Sequence, residues 1–183
     1  MPSLCLTKFF TFSKKITLGF TISLLGICLI ACSDDDSSED NINVDQTAFL
    51  ESTTHLIVNS YSSFNTAVNS LSTAIDSLSS NTTSTRLDVA QDALKTAYIE
   101  WQKVSFYEFG PAETVALKSA VNVYKTDENK IEANISSGAY NLDQISQKDA
   151  KGFPALDYLL HGRSDSTIMH RIKSDNKRCA YLK

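Results

Sequence analysis

Cysteine is the first scarcity. The 183-residue chain has four, and Cys5, Cys28 and Cys32 all fall near its start, which leaves Cys179 alone in the body of the protein. A lone thiol there excludes an intrachain disulfide and a metal site built on thiolates. Basic clusters are lacking as well. The 17 Lys and Arg are outnumbered by 21 Asp and Glu, for a formal charge of −4, and a net-acidic chain without a Lys/Arg cluster argues against a nucleic-acid partner. No stretch alternates apolar and polar residues over a useful length, so no strand is expected.

The beginning of the chain lacks acidic side chains instead; none precedes Asp34. Lys8, Lys14 and Lys15 lead into an apolar run from Ile16 to Ala31, which Leu29-Ile30-Ala31-Cys32 closes. A positive start, an apolar middle and a small residue at the cut make residues 1–31 a secretory signal. The closing cysteine resembles a lipobox, in which Cys32 is lipidated and heads the mature chain. The competing reading is a transmembrane helix. It asks for about 20 apolar residues, whereas this run is shorter and carries Gly19 and Gly26. Two or three acyl chains on one cysteine give the stable membrane anchoring that a single chain does not. Loss of the three lysines leaves 14 basic against 21 acidic residues, a mature charge of −7.

Residues 32–44 follow as a tether. Asp34, Asp35, Asp36, Glu39 and Asp40 are packed into it without core-forming neighbours, the composition of a solvated segment. The body, residues 45–183, is long enough to bury one domain-sized core. Within it, Ile57, Tyr61, Phe64, Val68, Leu71, Ile75 and Leu78 advance by alternating steps of 4 and 3, the stripe of one long helix over Thr47 to Ser79. The residues between are Ser, Thr and Asn, poor helix formers, so packing against neighbours must hold it.

Asn81 to Thr85 reads as a turn, with Thr85 and Asp88 resembling a capping box. A second helix is expected to run to about Phe109, with Leu87, Ala90, Leu94, Tyr98 and Trp101 on one face, ended by Gly110-Pro111. Ala112 to Val123 suits a shorter third helix. Thr126 is placed to cap a fourth that carries Ile131 and Ile135 and stops at Gly138. Gly152 and Pro154 open another through Leu160, because proline is tolerated in a first helical turn. Asp165 to Lys183 begins a last one without a stop signal, so that it frays or belongs to something longer. The expected fold class is all-α, an antiparallel helical bundle.

Four stretches, in this order and spacing, resemble the imelysin family (peptidase family M75), in its Bacteroidetes lipoprotein branch. They are Trp101 with Phe109-Gly110-Pro111-Ala112; Asp127 with Lys130-Ile131-Glu132 and Ile135; Gly138-Ala139-Tyr140-Asn141-Leu142; and Gly152-Phe153-Pro154-Ala155-Leu156-Asp157-Tyr158-Leu159-Leu160-His161-Gly162. The last is the most specific. The resemblance covers roughly residues 45–183, and implies the first half of a two-bundle protein whose C-terminal half is missing here. It also implies a role in iron or haem acquisition at the cell envelope, on the outer membrane or cell surface. The acidic run after Cys32 resembles the surface-export signals of Bacteroidetes lipoproteins; a plain linker facing the periplasm is the equal alternative.

The family signature is a Gly-x-His-x-x-Glu run, whose His and Glu share one helical face within reach of a metal. Gly152 is kept. Pro154 stands at the His position and Asp157 at the Glu position. Proline has no ligating atom, and a catalytic zinc needs three protein ligands and a water, so proteolysis loses its imidazole. His161, four residues after Asp157, lies on the same face, and Glu108 and Glu113 flank the Gly110-Pro111 turn. Asp157, His161 and Glu108 are therefore the candidate ligands for an oxygen-rich iron or calcium site, or contacts for haem. The bland alternative has His161 serving the helix C-terminus and Asp157 accepting an ordinary hydrogen bond. The aromatic run Trp101, Phe106, Tyr107 and Phe109 suits bundle core better than a haem or peptide cleft. His55 and His170 suggest no site. Three readings follow: a binding module, a metal-dependent peptidase, and a non-functional truncated fragment.

Overall fold

A stripe of apolar residues needs a second surface to lie against, and the computed structural model, which describes residues 45–183, shows where each stripe goes. The long helix α1 spans Gln46–Ser80, capped by Asp45, whose carboxylate accepts from the N–H groups of Thr47 and Ala48. The chain turns in three residues and returns as α2, Ser84–Val104. Phe64, Leu71, Ile75 and Leu78 of α1 meet Leu87, Ala90, Leu94, Ala97 and Trp101 of α2 in one buried cluster. The expected stripe is the one that packs, from Tyr61 to Leu78; Ile57 lies ahead of the cluster.

The second helix ends earlier than its pattern suggests. Ser105 closes α2, and the phenol of Tyr61 donates to the carbonyl of Tyr107 at 2.9 Å. Phe106 and Phe109 are exposed, while Trp101 is core; the aromatic run is split between two environments. The single helix expected over 112–123 is two pieces, α3 Pro111–Thr114 and α4 Leu117–Val121, because Ala116 takes a left-handed conformation between them.

Helix α5, Glu128–Ser137, buries Ile131, Asn134 and Ile135 and stops at Gly138, which has φ of +68°. Its cap is Asp127, accepting from Lys130 N–H; Thr126 instead donates to the carbonyl of Asp149. A 3-10 turn, Ile145–Ala150, leads to α6, Gly152–His161. The end of the chain forms two helices, α7 Asp165–Ser174 and α8 Asn176–Leu182, with Asp175 capping the second. Both pack against the body of the domain: Ile168, Ile172, Arg178, Tyr181 and Leu182 are buried. Tyr181 O–H donates to the carbonyl of Ala150 at 2.6 Å and accepts from Asn134, which fastens α8 to the 3-10 turn and α5.

The described residues are all helical with no strand, and they make up one compact unit from Asp45 to Lys183. Among them no helix is long and apolar enough to cross a membrane. The signal, Cys32 and the acidic tether lie outside the described residues.

Candidate functional site

Gly152 determines where α6 begins. Its φ is +77°, and a Cβ built on it would stand 2.2 Å from the carbonyl oxygen of Val121. Only glycine combines that dihedral with that approach, so the end of α4 and the start of α6 touch backbone to backbone. Pro154 follows in the first turn, where its missing N–H costs no helical hydrogen bond. Phe153, Ala155, Tyr158, Leu159 and Leu160 then turn into the core. Pro154, Asp157 and His161, at i, i+3 and i+7, take the opposite side.

That side is one wall of a groove of about 750 Å³. Leu94, Lys95 and Tyr98 of α2 form a second wall, and the segment from Asn122 to Thr126 with Glu128 the third. The size is in the range of small-molecule and cofactor sites. Tyr98 meets Phe153 edge to face at 5.4 Å, and Phe153 touches Phe64 at 6.3 Å, so the groove floor continues into the core. Lys95 and Lys125 supply cationic groups, Glu128 and Asp157 anionic ones.

The pair expected on one face is indeed together. His161 Nδ1 lies 3.0 Å from Asp157 Oδ1, at the exposed edge of the groove. A carboxylate on one ring nitrogen fixes the ring and leaves Nε2 as the outward atom. Asp157 is thus placed to orient the imidazole. Glu108 does not join them: its carboxylate accepts from the N–H of Lys118 at the start of α4. Among the described residues no three His, Cys, Asp or Glu side chains converge on a point. Among the described residues, Asp157 and His161 are thus one ligand short of the three protein ligands that a zinc site needs.

Behind the groove stands Glu132, which the sequence places in a family-like stretch without giving it a partner or a role. Glu132 accepts from Tyr158 O–H at 2.8 Å, from Arg171 at 2.6 Å, and from both terminal nitrogens of Arg178. Partial burial pushes the Glu132 carboxyl up, but the hydrogen bonds from Arg178 and Tyr158 and the two guanidinium charges outweigh it and hold the group below its usual range. Arg178 is only 6% exposed, so this carboxylate supplies the counter-charge its burial requires. The cluster ties α5, α7 and α8 to the helix that carries the groove wall. Its sequence signal was weak: a Glu beside the Ile131–Ile135 stripe, with partners 39 and 46 residues away. A second ion pair, Lys130 with Asp149 at 2.6 Å, clamps the 3-10 turn, and the Lys130 hydrogen bond holds Asp149 below its usual range.

The model of the imelysin family (Peptidase_M75) matches residues 57–183. The chain belongs to the imelysin family. No curated protein and no solved structure matches it. Within this imelysin chain the signature segment keeps its helix and its glycine, whereas Pro154 supplies no donor at the position where the family pattern has histidine.

Proposed function

We propose that this imelysin-family protein is a lipid-anchored binding module of the cell envelope, linked to iron acquisition, and that its groove takes haem. The observation that carries the reading is the Asp157–His161 pair at the edge of an aromatic groove. One oriented imidazole is too little for a bare ion. It would be enough for haem, whose iron is already held by its macrocycle: His161 would hold the iron and Asp157 would orient the imidazole. Tyr98, Tyr124 and Phe153 offer flat apolar surface to the macrocycle, and Lys95 and Lys125 offer counter-charges to its carboxylates. A peptidase is the reading the family label favours, but it requires a metal-activated water, and Pro154 withdraws the imidazole that would help hold the metal.

Titration of haemin into the mature chain carrying Cys32→Ser tests the reading. Saturable binding with a shifted Soret band is expected, lost in His161→Ala. An unchanged spectrum, or chelator-sensitive peptide cleavage that disappears in Asp157→Ala, would sink it. Metabolic labelling with a fatty acid, present in the wild type and absent in Cys32→Ala, tests the anchor separately.

A further inference from the structure

Helix α1 is longer than what covers it. Its 35 residues extend about 52 Å and the 21 of α2 about 31 Å. The two are joined by a short turn, and Tyr61 bonds Tyr107 just past the end of α2. The first 14 or so residues of α1 therefore extend past their partner. The apolar stripe does not stop where the cover does. At 100° per residue, Phe49, Leu50, Leu56 and Ile57 fall on the same face as Phe64, Leu71 and Leu78, with Glu51, His55 and Asn59 opposite. Leu50 is 63% exposed, and the adjoining loop adds Phe106 at 68% and Phe109 at 56%. Phe106 and Phe109 both pack on the ring of Tyr107, at 4.1 and 6.3 Å, so the loop aromatics form one cluster beside the stripe.

We infer that this end of the domain docks on the surface of a lipid bilayer. The inference rests on the anchored reading of Cys32 given above. Twelve residues separate Cys32 from Asp45, the cap of α1, and the steps between them, at 3.3–3.6 Å each, reach about 45 Å at most. The chain enters the domain at Asp45, so the uncovered apolar end of α1 is the part that the linker from Cys32 joins directly. Attachment through so short a linker puts the effective concentration at the bilayer in the millimolar range, so a patch too weak to hold a free protein is sufficient. Phenylalanine and leucine on one face of a helix are the groups that enter the headgroup boundary. The polar side is not basic, with Asp45 and Glu51 near the start of α1. The surface that suits it is zwitterionic, and anionic lipid repels it at low salt.

The test uses the full lipidated chain in vesicles of brominated phosphatidylcholine. Phe106→Trp is the reporter and Ile145→Trp, at another exposed apolar position, the control; the native Trp101 is buried and contributes a constant background. Quenching of the first by at least twofold over the second is expected, reduced by anionic lipid and by Leu50→Ser with Phe109→Ser. Equal quenching of the two, or none with Cys32 carrying label, overturns the docking and leaves the anchor intact. An unlabelled Cys32 overturns both. If light scattering finds the Cys32→Ser chain dimeric, and Leu50→Ser with Phe109→Ser restores the monomer, the face belongs to a second copy and the inference fails.

Discussion

Gly152→Ala isolates the contact on which the groove wall is built. The added Cβ meets two separate penalties. A φ of +77° strains an L-residue by about 1–3 kcal/mol. The Val121 oxygen 2.2 Å away is backbone, so α4 and α6 must separate, an overpacking cost of about 1–3 kcal/mol. Reduced freedom of the unfolded chain returns about 0.4–1 kcal/mol. The net loss is about 3 kcal/mol, which in a domain of this size lowers the melting temperature by about 6–12 °C. Gly110→Ala provides the control, because φ there is +59° and nothing lies within 4 Å of the added carbon. It feels the strain and not the collision, and the same strain and unfolded-state ranges leave a loss of about 1 kcal/mol. Thermal melts of the two Cys32→Ser variants by far-UV circular dichroism check the difference. Melting temperatures within about 2 °C of one another would refute the claim that backbone approach, rather than dihedral preference, demands glycine at the signature.

The Glu132 cluster makes a stability claim of its own. Glu132→Gln strips the buried Arg178 guanidinium of its counter-charge and is expected to cost about 3 kcal/mol in denaturant unfolding, whereas Tyr158→Phe, which leaves both arginines in place, costs about 1 kcal/mol. Acid should act through the same group: the folded Glu132 and Asp149 titrate below their usual values of 4.5 and 3.8, so their stabilisation is complete above pH 4.5 and is lost as the pH falls through the lower folded values. A pH series of melts should show that decline, blunted in Glu132→Gln; an equal decline in both proteins would assign it elsewhere. At the groove, Asp157→Asn removes the charge that orients His161 and is expected to weaken haemin binding about tenfold with no change in melting temperature.

The helices were legible because their evidence is local. The alternating steps from Ile57 to Leu78 specify one face, and that face is buried from Phe64 onward. Helix ends were read less well, since long-range contacts decide them. Nothing near Ser105 announces that Tyr61, 46 residues earlier, bonds the Tyr107 carbonyl and draws the chain away from α2. Thr126 and Asp127 are both good caps in isolation; the Asp149 carbonyl engages the threonine hydroxyl and leaves the cap to the aspartate. Thr83, not Thr85, caps α2 for a similar reason of register among neighbouring hydroxyl residues. Of the candidate site, Asp157 and His161 were readable because i, i+4 spacing makes them neighbours on any helix. Glu108 could not be placed, because sequence spacing is silent on which way a residue faces across an irregular turn. Glu132 could be read as part of a family-like stretch but not as the centre of an ion cluster, because both of its arginines come from the last 13 residues of the chain.

Packing and chemistry make separate demands on the signature helix, and Pro154 shows where they part. Gly152 is held by the Val121 backbone, and Phe153, Ala155 and Leu159 by the core. Position 154 is held by neither, being partly exposed in a first turn where proline and most other residues fit equally well. Pro154→His should therefore fold as the parent does and return an imidazole to the face that carries Asp157 and His161, at i−3 and i−7 from them. Three donors on one face are the minimum for a zinc site. Calorimetry with zinc on the Cys32→Ser chain should show affinity tightened at least tenfold, or about 1.4 kcal/mol, and the gain should vanish when Asp157→Ala is added. Unchanged zinc affinity in a variant with the parental melting temperature would mean that an imidazole at position 154 does not complete a metal site on this face, and the reasoning from helical spacing would fail.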